Sequence, residues 1–288
     1  MLETNSQKVY VNGQFYSKKE ASISVFDRGF LFSDSVYEVS AVIGGDLVDW
    51  QEHFARLIRS MDKLNLVNNF QEEDFYKIQK KLIKENELNE GLCYVQVTRG
   101  VAERDFNFAT NSLSPTVVIF TQEKLILSNP ASKRGIKIIT VPDDRWRRRD
   151  IKTTQLLAQS LAKTYAIQKG VDDSLLVQDG FINECSSSNV FIISEKNIIT
   201  PNLSNDILGG ITRSSLIKFC KKNNIEIKEQ KISVDDMMGA QEVFLTSSTG
   251  FVLPVIDIDG RQVGNGLVGD KVKEIQRIYI EQIKSKLS

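Results

Sequence analysis

Lys152 ends the cationic run Arg145-Trp146-Arg147-Arg148-Arg149-Asp150-Ile151-Lys152. A lysine that sheds its proton can act as a nucleophile or a base. An average lysine is instead a solvated surface residue, and arginines around a tryptophan also suit a nucleic-acid backbone. Leu208-Gly209-Gly210-Ile211-Thr212-Arg213-Ser214-Ser215 sets glycines and hydroxyls at a predicted helix start, where N–H groups and the helix dipole favour a phosphate. The plain alternative is an N-cap by Thr212 or Ser214. Ser247-Ser248-Thr249-Gly250 follows a predicted strand, and the two clusters could clasp one phosphate. Glu184 sits in Ile182 to Asn189, whose small polar residues read as a tight turn. The single histidine, His53, could serve a Ser-His-Asp triad only as its base, and a plain polar role fits it better. Gly264-Asn265-Gly266-Leu267-Val268-Gly269 matches G-x-G-x-x-G but lacks the following strand and the acid ~20 residues on, so it reads as a turn.

The elements that must position these residues are legible as periodicities. Lys8 to Gln14 reads as a strand entering an Asn12-Gly13 hairpin turn. Ile23 to Phe26 and Val36 to Val42 read as further strands, the second turned back at Gly44-Gly45-Asp46. Phe54, Leu57, Ile58, Met61 and Leu64 make one stripe of a helix over Gln51 to Leu66. That spacing puts Arg56 on the solvated face. A second amphipathic helix spans Gln71 to Asn86, and strands follow at Leu92 to Arg99 and Thr116 to Thr121, around a polar loop from Gly100 to Pro115. Downstream, Ile136 to Val141, Ser174 to Val177, Val190 to Ile193 and Val243 to Thr246 read as strands. Helices start at Thr153, near Gly210 and at Asp270.

With 288 residues, 41% of them hydrophobic, the chain can bury a large core and divide into two domains. Its 37 basic and 37 acidic residues cancel, which argues against nucleic acid or an anionic membrane as a partner. The first residues, Met1 to Ser6, lack the parts of a signal peptide, and no apolar run nears the ~18 residues of a membrane span, so a soluble cytoplasmic protein is expected. Cys93, Cys185 and Cys220 are odd in number and widely spaced, suggesting neither a disulfide framework nor a metal site.

Five spaced motifs, in order over nearly the whole chain, carry a resemblance. They are Asp27-Arg28-Gly29 with Tyr37-Glu38; Glu52-His53 with Arg56-Leu57; Arg145 to Lys152; Glu184 with Ser186 to Phe191; and Gly210-Ile211-Thr212-Arg213. Together the chain resembles the class IV, or fold type IV, pyridoxal-phosphate aminotransferases. The nearest branch is the D-amino-acid aminotransferases, through Val36-Tyr37-Glu38-Val39 and Gln96-Val97-Thr98-Arg99-Gly100.

The resemblance implies an α/β (α+β) fold of two domains, with an α/β N-terminal domain over 1–122, an interdomain loop over 123–135 and a C-terminal β-pseudobarrel domain over 136–288. It places the cofactor, pyridoxal 5'-phosphate, between them. It implies that Lys152 holds the cofactor as a Schiff base and shuttles the proton, and that Glu184 faces the pyridine nitrogen with Arg145 orienting it. Arg56 becomes the phosphate arginine, against the solvated reading from spacing. Ile211, Thr212, Ser248 and Ser247 or Thr249 complete the phosphate cup. Tyr37 lines the substrate side, and Arg104 traps the α-carboxylate, while Phe106 stands where D-amino-acid enzymes present histidine. Neighbouring arginines are expected to depress the lysine's proton affinity. Family members are usually homodimers. The function implied is ping-pong transfer of an amino group from a D-alanine-like donor to a 2-oxo acid acceptor. Alternatives are an (R)-amine or branched-chain aminotransferase, an aminodeoxychorismate lyase, and a phosphate-ligand binding protein without catalysis.

Overall fold

The structure, a computed structural model, describes residues 7–107, 113–194 and 197–287. The reading of Met1 to Ser6 lies outside the described residues, as does part of the loop expected over 100–115, at 108–112. Two compact units form, one from Met1–Leu125 with Ile151–Gln155, the other from Ile126–Asp150 with Leu156–Ser288.

In the first unit β1 (Lys8–Val11) and β2 (Gln14–Ser17) make a hairpin. Asn12 and Gly13 at its tip have φ of 46° and 96°, the left-handed pair that a two-residue turn requires. Then come α1 (Arg28–Phe32), β3 (Ser35–Ile43), β4 (Asp46–Leu47), α2 (Trp50–Lys63), α3 (Glu72–Glu85), β5 (Glu90–Thr98) and β6 (Val117–Glu123). The sheet order is β2-β1-β6-β5-β3-β4, with every pair antiparallel. The α2 stripe buries Phe54, Leu57 and Met61, and α3 buries Phe75, Leu82 and Ile83. Each fully buried side chain of this kind contributes ~1.5–3 kcal/mol.

The strand expected at Ile23 to Phe26 is absent. Asp27 caps α1 by accepting from the Gly29 N–H, and its own N–H turns back to Ser24, so the backbone is taken into a turn. Ile23, Val25 and Phe26 stay exposed. The segment Ile151–Gln155 lies along β3: Thr153 bridges Val36, the Tyr37 N–H donates to the Lys152 carbonyl at 3.0 Å, and the Thr154 N–H donates to the Ser35 carbonyl at 3.2 Å. Lys152 therefore stands in extended chain, and the helix expected from Thr153 begins at Leu157.

The second unit comprises α4 (Pro130–Arg134), β7 (Ile136–Pro142), α5 (Leu157–Gln168), β8 (Asp173–Gln178), β9 (Phe181–Cys185), β10 (Asn189–Ser194), β11 (Asn197–Thr200), α6 (Ile211–Lys222), β12 (Ile227–Glu229), β13 (Ile232–Ser233), α7 (Val234–Met238), β14 (Glu242–Ser247), β15 (Phe251–Ile258), β16 (Arg261–Gln262) and α8 (Asp270–Leu287). Its sheet runs β12-β11-β10-β14-β15-β7-β8-β9-β13, with β16 on β15. Pairs β7/β8, β7/β15 and β11/β12 are parallel.

In that order β9 and β10 are five strand spacings apart, ~24 Å if the sheet were flat. Only Ser186, Ser187 and Ser188 join them, a reach of at most ~15 Å. The sheet must curl, which makes the barrel-like half. Its inner face packs Ile136, Ile138, Leu175, Ile182, Val190, Ile192, Val243, Leu245 and Val255. Among the described residues no helix is long and apolar enough to cross a membrane.

Candidate functional site

In the first unit the extended segment hangs Lys152 beside β3. Its N–H donates to Ser60 Oγ at 3.4 Å, and Ser35 Oγ hydrogen-bonds Thr154 Oγ1 two residues on. Lys152 Nζ lies 4.2 Å from the centre of the Tyr37 ring, which stacks on Tyr94 at 5.6 Å, which stacks on Phe120 at 4.6 Å. Among the described residues no carboxylate pairs with the Lys152 ammonium. It is left to an aromatic face, where a cation gains roughly 0.5–1 kcal/mol.

Arg56 is buried, contrary to the solvated face that spacing gave it, because Glu38 on β3 meets it. Arg56 Nε and Nη2 donate to the two Glu38 oxygens at 2.7 and 2.8 Å, and His53 Nδ1 lies 2.7 Å from Glu38 Oε2. Burial alone would raise the Glu38 carboxyl, but Arg56 and His53 hold it well below the usual carboxylate range.

Arg104 and Phe106 form a separate group. The Arg104 guanidinium lies 5.5 Å from the Phe32 ring and 5.6 Å from Phe106, whose ring is 80% exposed. The loop that carries them is anchored by Arg28, which donates to the Asp105 carbonyl at 2.7 Å and pairs with Asp34. The Asp27-Arg28-Gly29 motif is thus an anchor for that loop.

In the second unit Glu184 is carried on β9, within a strand and not in the tight turn expected. Arg145 Nη1 donates to its Oε1 at 2.5 Å, Asn189 Nδ2 to its Oε2 at 3.0 Å, and the Leu208 N–H reaches both oxygens at 3.3 and 3.2 Å. Arg145 is shared: Nε and Nη2 donate to the two oxygens of Asp143 at 2.8 and 2.7 Å. Burial pushes the Glu184 carboxyl above its ordinary value, against the pull of Arg145 and the Leu208 N–H. Burial works against the Arg145 charge, but Asp143 and Glu184 outweigh it and keep the guanidinium protonated.

The arginine run is mostly neutralised within this unit. Arg149 pairs with Asp143 and Asp206, and Arg148 with Asp150. The run therefore offers a nucleic-acid backbone little unpaired charge.

Neither Thr212 nor Ser214 caps α6. The cap position is Gly210, with no side-chain cap hydrogen bond, and Thr212 lies inside the first turn. A Cβ at Gly210 would stand 2.0 Å from Asn189 Oδ1, so any larger residue would have to displace the Asn189 amide. Ile211 and Thr212 are buried, yet among the described residues no acceptor meets their N–H groups. A buried helix start without acceptors calls for an anion.

Asn189 pairs with Thr246 across β10 and β14, which brings the end of β14 to the same place. Thr246 Oγ1 is buried without a partner among the described residues. Ser247 Oγ is engaged by the Gly250 N–H at 3.1 Å, while Ser248 Oγ has no partner among the described residues. The donor set of this unit, a buried carboxylate, uncapped N–H groups and hydroxyls, suits a ligand with a protonated ring nitrogen and a phosphate.

Sequence reasoning gave Asp143 and Asn189 no role. Asn189 stood inside a quoted motif, but no spacing rule marks a residue whose amide joins an acid to a helix start.

The family described as amino-transferase class IV matches residues 35–258. D-alanine aminotransferase of Staphylococcus aureus (strain MSSA476) is 36% identical over 281 residues, covering 97% of this chain and 99% of that protein. D-alanine aminotransferase of Bacillus licheniformis is 34% identical over 280 residues, with 96% and 98% covered. Among solved structures, a T.th. branched-chain amino acid aminotransferase with pyridoxamine 5'-phosphate superposes with a TM-score of 0.88 at 24% identity, over 97% of this chain and 95% of that one.

Proposed function

We propose that this chain, which belongs to the class IV amino-transferase family, is a pyridoxal 5'-phosphate transaminase that takes the amino group of a D-alanine-like donor and delivers it to a 2-oxo acid. The observation that carries the reading is the double hold of Asn189, whose amide donates to Glu184 while its oxygen packs against Gly210 at the uncapped start of α6. A mere phosphate binder has no use for the buried acid or for Lys152.

When bound, the cofactor supplies an electron sink for the pair released as the substrate Cα–H bond breaks. Lys152 Nζ supplies the amine for attachment, then takes and returns the Cα proton. Its lack of a carboxylate partner among the described residues supports that role. Glu184, its carboxyl pushed up by burial, would share a proton with the cofactor's ring nitrogen and so keep that nitrogen protonated. Arg145, fixed by Asp143, holds Glu184 in place. Ile211 and Thr212 N–H with Ser248 would receive the phosphate, and the family resemblance assigns Arg56, oriented by Glu38, to the phosphate as well. Tyr37 lines the substrate side, and Arg104 receives the donor carboxylate. Phe106 beside Phe32, rings 5.8 Å apart, adds an apolar surface that favours a second reading, a bulkier donor such as an aromatic (R)-amine.

A homodimer in the cytoplasm belongs to the same proposal. Leu157, Leu161 and Tyr165 recur one turn apart on α5 and are 74%, 62% and 43% exposed, an apolar stripe suited to a second copy.

The test presents D-alanine, L-leucine and an (R)-arylethylamine separately to the purified, cofactor-loaded protein and follows the visible cofactor absorbance. D-alanine should change it. No visible cofactor band, with no borohydride-reducible attachment that disappears in Lys152→Ala, would sink the reading.

A further inference from the structure

The turn that carries Ser248 is held in an unfavourable shape. Ser247 and Phe251 close the β14/β15 hairpin as a pair, leaving Ser248, Thr249 and Gly250 as its loop. Three-residue hairpin loops of this kind place one residue in the left-handed region, and glycine normally fills it. Here Gly250 lies next door, yet it is Phe251 that carries the positive φ, at 50°. Among the described residues every other non-glycine with positive φ is Asn, Asp, Ser or Glu. A bulky ring in this region is strained, and such strain persists only where the surroundings over-determine it.

The surroundings here are α8. The Phe251 ring is 4% exposed and meets Tyr279 edge-on, with centroids 5.4 Å apart, and Tyr279 is itself 1% exposed. Gln276, one turn earlier on α8, donates through Nε2 to the Val252 and Ser132 carbonyls, both at 3.0 Å. A cavity of about 440 Å³ lies beside the turn, lined in part by Gly250, Phe251, Val252, Gln276 and Ile280. The loop therefore has room to relax if the ring is not anchored. On the open side, Ser248 Oγ is uncommitted among the described residues.

We infer that Phe251, locked by Tyr279, is a positioning residue that sets the Ser248 turn in advance for the cofactor's phosphate group. The inference rests on the pyridoxal-phosphate reading and adds α8 to the machinery that decides cofactor affinity. Preorganisation of this kind acts only on ligands bearing the phosphate, because only the phosphate meets the turn.

The experiment titrates the full-length chain, stripped of cofactor, with pyridoxal 5'-phosphate and with pyridoxal, following tryptophan fluorescence. Phe251→Gly should weaken the phosphate ester by about tenfold and leave pyridoxal within about twofold of wild type. Tyr279→Phe, which keeps the edge-on ring, should bind as wild type does. Ile283→Ala, a buried truncation elsewhere on α8, should lower the thermal midpoint and leave both affinities unchanged. If Phe251→Gly does not fold, Phe251→Asn makes the same comparison, since asparagine tolerates the left-handed backbone without the ring. A folded variant with unchanged affinity for the ester, or with both ligands weakened equally, overturns the inference alone. Wild-type chain that binds neither ligand overturns the cofactor reading and the inference with it.

Discussion

The two buried carboxylates, Glu38 in the first unit and Glu184 in the second, have similar company and opposite behaviour. Each meets an arginine within hydrogen-bonding distance, and each is almost wholly shielded from water. Glu38 takes two donors from Arg56 and a contact from His53, and falls well below the usual carboxylate range. Glu184 takes one donor from an arginine that gives two others to Asp143, and burial raises it. Two guanidinium donors and a histidine hold Glu38 as an anion and make it a structural brace. A shared guanidinium leaves Glu184 with appetite for a proton, which suits a partner on a ring nitrogen.

The largest expected effect breaks the first of these. Glu38→Ala leaves Arg56 buried without its carboxylate, which should cost about 3–5 kcal/mol of stability in denaturant unfolding. A loss under about 1 kcal/mol would mean Glu38 is no brace. Next, Glu184→Gln keeps the shape of the second acid but not its charge; turnover with D-alanine should fall about a hundredfold, equivalent to roughly 3 kcal/mol of barrier, with no fall in the thermal midpoint at neutral pH. Unchanged turnover would remove Glu184 from the mechanism. Smaller again, Gly210→Ala drives a methyl group into Asn189 Oδ1 and should cost about 1–3 kcal/mol, with weakened cofactor binding seen by equilibrium dialysis.

The smallest effect is in pH dependence, where the two acids have opposite signs. Glu38, lowered by folding, contributes stability above the ordinary carboxylate value of ~4.3 and loses it as pH falls further. Glu184, raised by folding, is most favourable below that value and loses its contribution as pH rises through its own, higher one. Thermal midpoints between about pH 3 and 7 should therefore show Glu38→Gln flattening the acid limb and Glu184→Gln relieving a cost at the neutral end. Identical profiles for the two variants would erase the contrast.

Much of this was legible in the sequence. The stripe of α2, the Asn12-Gly13 hairpin and the order of five motifs all follow from local spacing, because periodicity reports which face of an element is apolar. Lys152, Glu184 and the Gly210 helix start were not marked by spacing: the lysine read equally as solvated, the acid as part of a turn and the helix start as a plain N-cap, and only the family resemblance gave them roles at a site. Arg56 was not marked by spacing either, which put it in solvent; the family resemblance overturned that reading, and Glu38, 18 residues earlier on a different element, meets the guanidinium in the interior. The strand expected at Ile23 to Phe26 failed because the Asp27 cap took that backbone into a turn.

By itself the sequence determined the family, the elements and the chemical types at the site, since these depend on residue identity and short-range pattern. The tertiary structure decided which charges are paired and which are shared. It laid Lys152 along β3, gave Asn189 two duties and put Phe251 in a backbone shape that no propensity would choose. Each of these depends on partners that are distant in the chain and near in space. A carboxylate's proton affinity, a helix start's missing acceptor and a strained turn's anchor all depend on what the rest of the fold brings against them.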